Sequence, residues 1–575
     1  MKIFQSDIKT KNFTNFILVI FFINLINSIL TSLHLYNSLL SLSCLISTYF
    51  LFFFYFYSDY KKNKNDKLFY LFIIFAILFW LFAFPAAING YDDLAAYLVF
   101  AMKLVDIGTL PVEELSPRKI YNYGGLYPFQ GYIAKINPSL LTFIEPVMGL
   151  FSFVVVINFL NINKLTKILI IALLFLTPLM GSKIIANTAG VYTYSFYNFI
   201  IILLFFFYEK INFSKIYKVN INSCQIVFLL MVFCFLISLS IRPFHAVFNI
   251  FILTSFIVQN HNKIFEKITL SKIFLILTIS LIFIYPYILS SYKSSGTLLF
   301  PILGKGWHIV DETLSSFNFL FILELQSISQ FFILFFSIFK NDYFFTIGLI
   351  LILLNLINNK NKDKSKKIFL AISYIVYYMM IFFQAGPDLT YRYNFSLNLS
   401  FIILNLIIFD WKFFKYNEKL KELLVAIPII SIIIMCSAYV YAGKTVKENR
   451  IKFKEYDLIK VLTKDINQLK ELELNNELNK IAISSAYAYT FYNEGFKNLI
   501  INDTPLQMNP WFNKELKISY KKLDNSMLNY YKDQKIKFIL IGSDYDKFPY
   551  YKNFIDKNFR KIFTSNLDYF VFEMN

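Results

Sequence analysis

Arginine is rare in this chain, and its positions point to chemistry. Of 56 basic residues, only Arg118, Arg242, Arg392, Arg450 and Arg560 are arginine. The sequence places Arg118, Arg242 and Arg392 in loops or at span ends on the side of a membrane where orientation does not call for positive charge. A guanidinium grips phosphate through two parallel hydrogen bonds, which an ammonium cannot do. Three of them on one surface point to a bound phosphate; the alternative for any one is snorkelling, or pairing with a neighbouring acid such as Glu114 or Asp388. On the same side, the loop from Tyr292 to Thr313 offers Lys305 and His308 to an anion or a sugar, and Trp307 as a stacking or anchoring ring. Glu145, inside an apolar run and followed by Pro146, is a candidate because ionisable groups within a membrane are costly. His34, His245 and His261 read as structural.

The acids that accompany these cations lie in the stretch 89–138. It leaves an apolar segment as Asn89-Gly90-Tyr91-Asp92-Asp93 and ends in a polar run with Glu113, Glu114, Arg118 and Lys119. From Asp92, helical steps reach Ala96, Val99, Lys103 and Asp106, while Leu94, Tyr97, Leu98, Phe100, Ala101, Leu104 and Val105 fill the remaining surface. That pattern predicts a helix with one narrow polar stripe, lying at the membrane surface. One carboxylate of the Asp92/Asp93 pair would cap the helix. A cap uses a single carboxylate, so the second is free to face whatever collects at the surface, unless it is simply solvated.

The elements that position these groups are membrane spans. The chain is 57% hydrophobic with a mean hydropathy of +0.54, and many of its apolar runs approach the ~20 residues that cross a bilayer as a helix. Spans are expected near 13–33, 35–58, 68–88, 139–160, 168–186, 187–208, 225–241, 243–260, 273–291, 343–358, 368–384, 394–412 and 422–442, about thirteen in all. Lysine clusters at 61–67, 164–167, 210–218, 263–272 and 360–367 alternate with lysine-poor loops, which sets the clusters inside and the 89–138 loop outside. The stretch before Lys340, with Glu324 and Gln326, is then external and interfacial. If it crossed, the 360–367 cluster would face the wrong way.

From Gly443 the composition changes. Short apolar runs at 480–485, 498–501, 537–541 and 569–573, separated by helical or loop material, predict a small external α/β domain. It has neither histidine nor cysteine, and Asp503, Asp544 and Asp546 stand in ordinary turn contexts. The expected fold is therefore an all-α polytopic membrane protein with a small C-terminal extracytoplasmic α/β domain: 1–442 spanning, with the functional loop 89–138, and 443–575 outside. The net charge of +19 is distributed as orientation signals, not as a nucleic-acid surface. Cys44, Cys224, Cys234 and Cys436 lie in or beside apolar runs, without disulfide or zinc spacing.

Asp93, Tyr97 and Gly108, in an external loop after a span, resemble the first external loop of the GT-C membrane glycosyltransferases that use polyprenyl-phosphate sugars. There an acidic pair opens an interfacial helix and a glycine closes it. The run Ser295-Gly296-Thr297-Leu298-Leu299-Phe300-Pro301, the pair Arg392-Tyr393 and the external C-terminal domain are similar to bacterial members of that superfamily. Three spans precede the acidic loop where the family usually has one, an N-terminal addition of about two, and Asp92-Asp93 stands where relatives often have Asp-Glu.

The resemblance implies an enzyme of the bacterial plasma membrane that moves a sugar from a polyprenyl-phosphate donor to a glycan, lipid or protein acceptor outside the cell. Asp93, or Asp92, would orient or deprotonate the acceptor hydroxyl for attack with inversion. Arg118, Lys119, Arg242, Arg392, Lys305, His308, Glu145 and Tyr97 would form the substrate site, its cations steadying the departing phosphate. Some relatives hold a divalent metal beside the acidic pair and others do not; Asp92 and Asp93 would be its ligands. A flippase or transporter of lipid-linked saccharides is the competing class, but it would favour internal repeats and mid-membrane charge. A polymerase of lipid-linked saccharides would use the arginines and leave the acidic pair unexplained. Single cysteines introduced into a cysteine-free protein test the layout. Ser116 and Asn525 should label from outside and Asn63 should not, and external labelling at Asn63 would overturn the topology.

Overall fold

The computed structural model describes residues 3–4, 6–62, 96–113, 116, 119, 123–137, 140–141, 144–145, 147–176, 190–211, 213, 222–243, 246–266, 270–295, 336, 342–357, 363–385, 387–409, 467, 480–484, 488–493, 495–501, 520–542, 549–564 and 569–575. Most of them are helical. Among the described residues, the membrane half contains α1 (Asp7–Ser32), α2 (Ser38–Lys62), α3 (Leu98–Ile107), α4 (Tyr127–Ile136), α5 (Val147–Phe159), α6 (Lys164–Leu176), α7 (Val191–Phe207), α8 (Ser223–Ile241), α9 (Ala246–Phe265), α10 (Leu270–Ser295), α11 (Tyr343–Ile357), α12 (Lys364–Ala385) and α13 (Pro387–Ile408). Six helices among the described residues are long and apolar enough to cross a membrane: those at Asp7–Ser32, Ser38–Ser58, Val191–Lys210, Ser223–Ile241, Ser271–Ser294 and Lys364–Phe382. Shorter apolar helices occupy Val147–Phe159, Leu165–Leu174, Tyr343–Ile357 and Asn394–Ile408. The expected spans near 68–88 and 422–442 lie outside the described residues, as do the first residues of the 89–138 stretch.

Many polar side chains inside this bundle find partners within the protein, as an apolar surround favours. Thr14 and Ser28 hydroxyls donate to the carbonyls four residues back, as does the Asn24 amide. Others join helices: the Asn249 amide donates to Asn198 Oδ1 at 2.8 Å, and Ser400 Oγ donates to Ser195 O at 2.7 Å. Aromatic rings fill the rest. Phe16 meets Tyr55, Phe159 and Phe196 edge-on, and Phe21 stacks on Phe233 and Phe283. Asp342 caps α11 by accepting from Phe345 N at 2.9 Å, and Tyr378 Oη and Asn398 Nδ2 also donate to it. Within the expected 139–160 span the described α-helix begins at Val147, directly after Pro146, whose missing N–H disfavours a helix running through it.

The contacts sort the loops into two ends. At one end, Phe4 pairs with Leu160, Lys9 Nζ donates to Asn158 O, Lys210 pairs with Asp363 and Lys366 with Glu209, and Gln225 donates to the carbonyls of Ile264 and Glu266. These are the loops with lysine clusters. At the other end, Tyr36 N donates to Gly108 O, Gly125 N to Ser240 O, Ser290 Oγ to Pro111 O and Glu113 N to Ser294 Oγ. Gly108, Pro111, Glu113 and Gly125 are thus fastened to the α1–α2 turn and to the ends of α8 and α10.

The C-terminal domain is a five-stranded sheet of order β2-β1-β3-β5-β4, with β1 (Lys480–Ser484), β2 (Leu499–Ile501), β3 (Ile536–Gly542), β4 (Phe559–Thr564) and β5 (Tyr569–Met574). β2, β1 and β3 run parallel, and β5 is antiparallel to β3 and β4. Helices α14 (Ala488–Asn493), α15 (Tyr520–Asp533) and α16 (Pro549–Asn558) lie between the strands in sequence. The expected four strands are present, and β4 is a fifth. Its Arg560 and Lys561 interrupt the apolar pattern because it is an edge strand, where charge is favoured. Arg560 reaches Glu573 of the neighbouring strand at 2.7 Å.

The domain sits on α3. Tyr489 Oη donates to Ala134 O at 2.7 Å, and Tyr492 Oη and Lys497 Nζ both meet Asp106 Oδ2 at 3.0 Å. This corrects the expectation of a surface-lying helix, since every residue of α3 from Leu98 to Val105 is buried. The single polar stripe is real, but α4 and the domain cover it instead of water. Gly131 of α4 makes this approach feasible, as a Cβ there would lie 2.8 Å from Ala101 O. Ser116 is also buried, so the external label belongs on Val112, which is 42% exposed. Gly108 ends α3 in the left-handed region at φ 78°, with its N–H on Leu104 O, and a Cβ there would lie 2.4 Å from His34 O. Gly108→Ala is expected to destabilise the protein by at least ~1–2 kcal/mol from the backbone alone. Thermal unfolding in detergent measures this, and an unchanged midpoint would contradict the docking of α3 on the α1–α2 turn.

Candidate functional site

Lys103, Asp106 and Glu113 meet the C-terminal domain. Lys103, on the inner stripe of α3, ion-pairs with Glu113 and also donates to Leu499 O of β2. Glu113 is 1% exposed; one carboxylate oxygen accepts from Lys103 and the other from Ile501 N at 3.1 Å. Burial pushes its carboxyl up, and Lys103 pulls it back. With both oxygens accepting, it serves as an ionised group. Asp106, one turn on, is held by Lys135 and Lys497. Burial alone would raise it, yet the two lysines more than offset this and leave it below the usual carboxylate range.

Two backbone hydrogen bonds follow Glu113: Ser116 N donates to Glu113 O at 3.4 Å and Lys119 N to Ser116 O at 3.1 Å. Lys119 is fully buried, and its ammonium has no hydrogen-bond partner among the described residues. Burial pulls it down to about 7, with Glu113 opposing. The Tyr127 hydroxyl at the start of α4 is likewise buried without a hydrogen-bond partner among the described residues, within electrostatic reach of Tyr97, Arg242 and Glu113. An unpaired ammonium and an unpaired hydroxyl in a dry site are expensive to leave so, and both can donate to an oxyanion.

Arg242 ends α8, where its N–H bonds Ser238 O, and its half-buried guanidinium acts electrostatically on Glu145 and Tyr127. Glu145 itself is spoken for. Its oxygens accept from Tyr192 N, from Thr193 N at 3.2 Å and from Thr193 Oγ1 at 2.7 Å, so it caps the first turn of α7. The structure gives it a structural task in place of the substrate contact expected of an intramembrane carboxylate. Tyr97 is buried at the start of α3, its ring edge-on to Phe100 at 6.2 Å.

Of the expected site residues, Lys119, Arg242, Tyr97 and Glu145 fall at this end of the bundle. Arg392 belongs to the N-terminal half of α13. Asp92, Asp93, Arg118, Lys305 and His308 lie outside the described residues. Among the described residues, no three acids, histidines or cysteines gather as a metal site. Sequence reading did not single out Lys103, Glu113 and Tyr127. The clue available was a lysine and a glutamate facing inward on an otherwise apolar face, a pairing that a buried surface demands and a wet one does not.

The depressed Lys119 makes stability depend on pH. Unfolded, the amine titrates near ~10.4, and folded near about 7. The penalty for burying its charge is therefore complete below about 7 and is relieved as pH rises towards ~10, where both states are neutral. Lys119→Met should be more stable than the parent at pH 6, and the gap should narrow by up to ~1.4 kcal/mol per pH unit above 7. A gap independent of pH from 6 to 9, read from unfolding in detergent, would mean that the ammonium is paired. No family model matches the chain, and no curated protein matches it.

Proposed function

We propose that this protein is an integral membrane glycosyltransferase that transfers a sugar from a polyprenyl-phosphate donor to an acceptor on the extracytoplasmic face of a bacterial plasma membrane. The observation that carries the reading is the buried Lys119 ammonium, without a hydrogen-bond partner among the described residues, at the same end of the bundle as Arg242 and in the same 89–138 stretch of sequence as Asp92 and Asp93. A dry cationic site at the mouth of a helical bundle suits a phosphate whose lipid tail remains in the bilayer. About thirteen crossings, with the lysine-cluster end inside, put that site and the C-terminal domain outside.

In this mechanism Asp93 takes the proton from the acceptor hydroxyl, which attacks the anomeric carbon from the face opposite the phosphate. The C1–O bond breaks with inversion, and the electron pair leaves on the lipid phosphate. Lys119, Arg242, Arg118 and Arg392 stabilise that charge, with Lys305 and His308 as further donors. Asp92 supports Asp93 as a cap or as a second acid for a divalent ion. The C-terminal domain supplies no catalytic group and covers the loop.

Replacing Asp93 by Asn keeps size and much of the hydrogen bonding but removes the base. Transfer from a polyprenyl-phosphate sugar should then fall by roughly 10²-fold or more while lipid-phosphate binding persists. A folded Asp93→Asn protein with parental transfer would remove Asp93 from the mechanism, and Asp92→Asn decides whether the roles are exchanged. Mass spectrometry of the purified protein should find a co-purified polyprenyl phosphate.

A further inference from the structure

Where α3 ends, three segments come to one edge of the bundle. Gly108 closes on the α1–α2 turn: its carbonyl accepts from Tyr36 N at 3.3 Å, and a Cβ on it would lie 2.4 Å from His34 O. α4 is fixed to the same place, since Tyr36 Oη donates to Pro128 O at 2.9 Å, Tyr132 N donates to Ser41 Oγ of α2 at 3.1 Å, and Lys135 pairs with Asp106. Leu33 and Leu35 flank His34, Ile107 precedes Gly108, and Ile136 follows Lys135. Four aliphatic side chains are thereby gathered at this edge, and each is more than half exposed. The neighbouring charges are turned to one another, because Lys135 and Lys497 both pair with Asp106.

α1 fixes the depth of this rim. Lys11 is exposed near its start, and Lys9 Nζ donates to Asn158 O at the lysine-cluster end. From Phe13 to Ser32 the helix carries no charged side chain, and Leu33 stands twenty residues beyond Phe13. At ~1.5 Å per residue that is about 30 Å, the thickness of a bilayer's hydrocarbon layer. Below the rim the exposed surface stays apolar, with Phe22 and Ile26 on α1 and Leu39 and Phe50 on α2. Among the four aliphatic groups stand His34, Asn37 and Asn137, also exposed, a mixture that suits the boundary between acyl chains and headgroups. We infer that Leu33, Leu35, Ile107 and Ile136 form a lipid seat at the hydrocarbon boundary opposite Lys11, which sinks the ends of α3 and α4 into that leaflet. The partner is the lipid surface itself, because the rim continues the apolar face that α1 and α2 already turn to the acyl chains. Nothing in this depends on sugar transfer.

The test is nitroxide labelling of single cysteines in the cysteine-free, full-length protein, reconstituted into phosphatidylcholine vesicles. Relaxation by oxygen, which concentrates among acyl chains, is compared with relaxation by a water-soluble nickel chelate. A label at Phe50 calibrates lipid, and one at the exposed Asp533 of α15 calibrates water. Labels at Leu33, Ile107 and Ile136 should show an oxygen-to-nickel ratio severalfold above that of Asp533. All three side chains are exposed, so the label replaces no packed group, and the three positions check one another. A ratio equal to that of Asp533 would place the rim in water and sink the proposal. Poor access to both reagents would place it under protein, either another segment of this chain or a second copy, and would sink it equally.

Discussion

The arrangement depends on one buried ion pair, Lys103 with Glu113, and on where each partner finds its second hydrogen bond. A buried pair recovers the loss of hydration only when its remaining donors and acceptors are used. Here the second bonds go to the Leu499 carbonyl and the Ile501 amide. A helix, a loop and a strand are therefore fixed together, and removing any one leaves a charge or a backbone group stranded in a dry interior. The left-handed turn at Gly108 and the close approach at Gly131 follow from this, because α3 must be enclosed on every side for the pair to remain dry.

Much of the membrane half was legible in sequence, because a bilayer imposes long apolar runs and an asymmetry of lysine. Where the expected spans fall among the described residues they are almost wholly helical, apart from the first part of 139–160. The two-ended sorting of loops agrees with the alternation of the lysine clusters. The position of α3 was not legible. A helix with one narrow polar stripe reads alike whether its apolar surface meets lipid or protein, and what decides between them is a strand 388 residues further on. β4 escaped for a related reason, since charges that protect a sheet edge also erase the alternation by which strands are recognised.

The site was legible in kind more than in detail. Lys119 and Arg242 were marked by residue type and sidedness, and the structure brings both to one end of the bundle. Glu145 was marked by the cost of an intramembrane carboxylate, but that cost is met by the first turn of α7, whose sequence gives no sign of it 47 residues away. Tyr127 left no trace at all, because one tyrosine of 40 becomes notable only when its hydroxyl proves to have no hydrogen-bond partner among the described residues.

The outer edge of β2 has a bearing on how the protein is made. An edge strand normally presents unpaired backbone groups that invite another strand, and here side chains from a segment translated far earlier occupy them. During synthesis, α3 and the 108–126 segment reach the membrane long before β2 leaves the ribosome. The sheet therefore meets a finished template, and its last strand has a specific place to settle. A copy of the domain made without that template would carry an open edge, with the attendant risk of joining sheets between molecules.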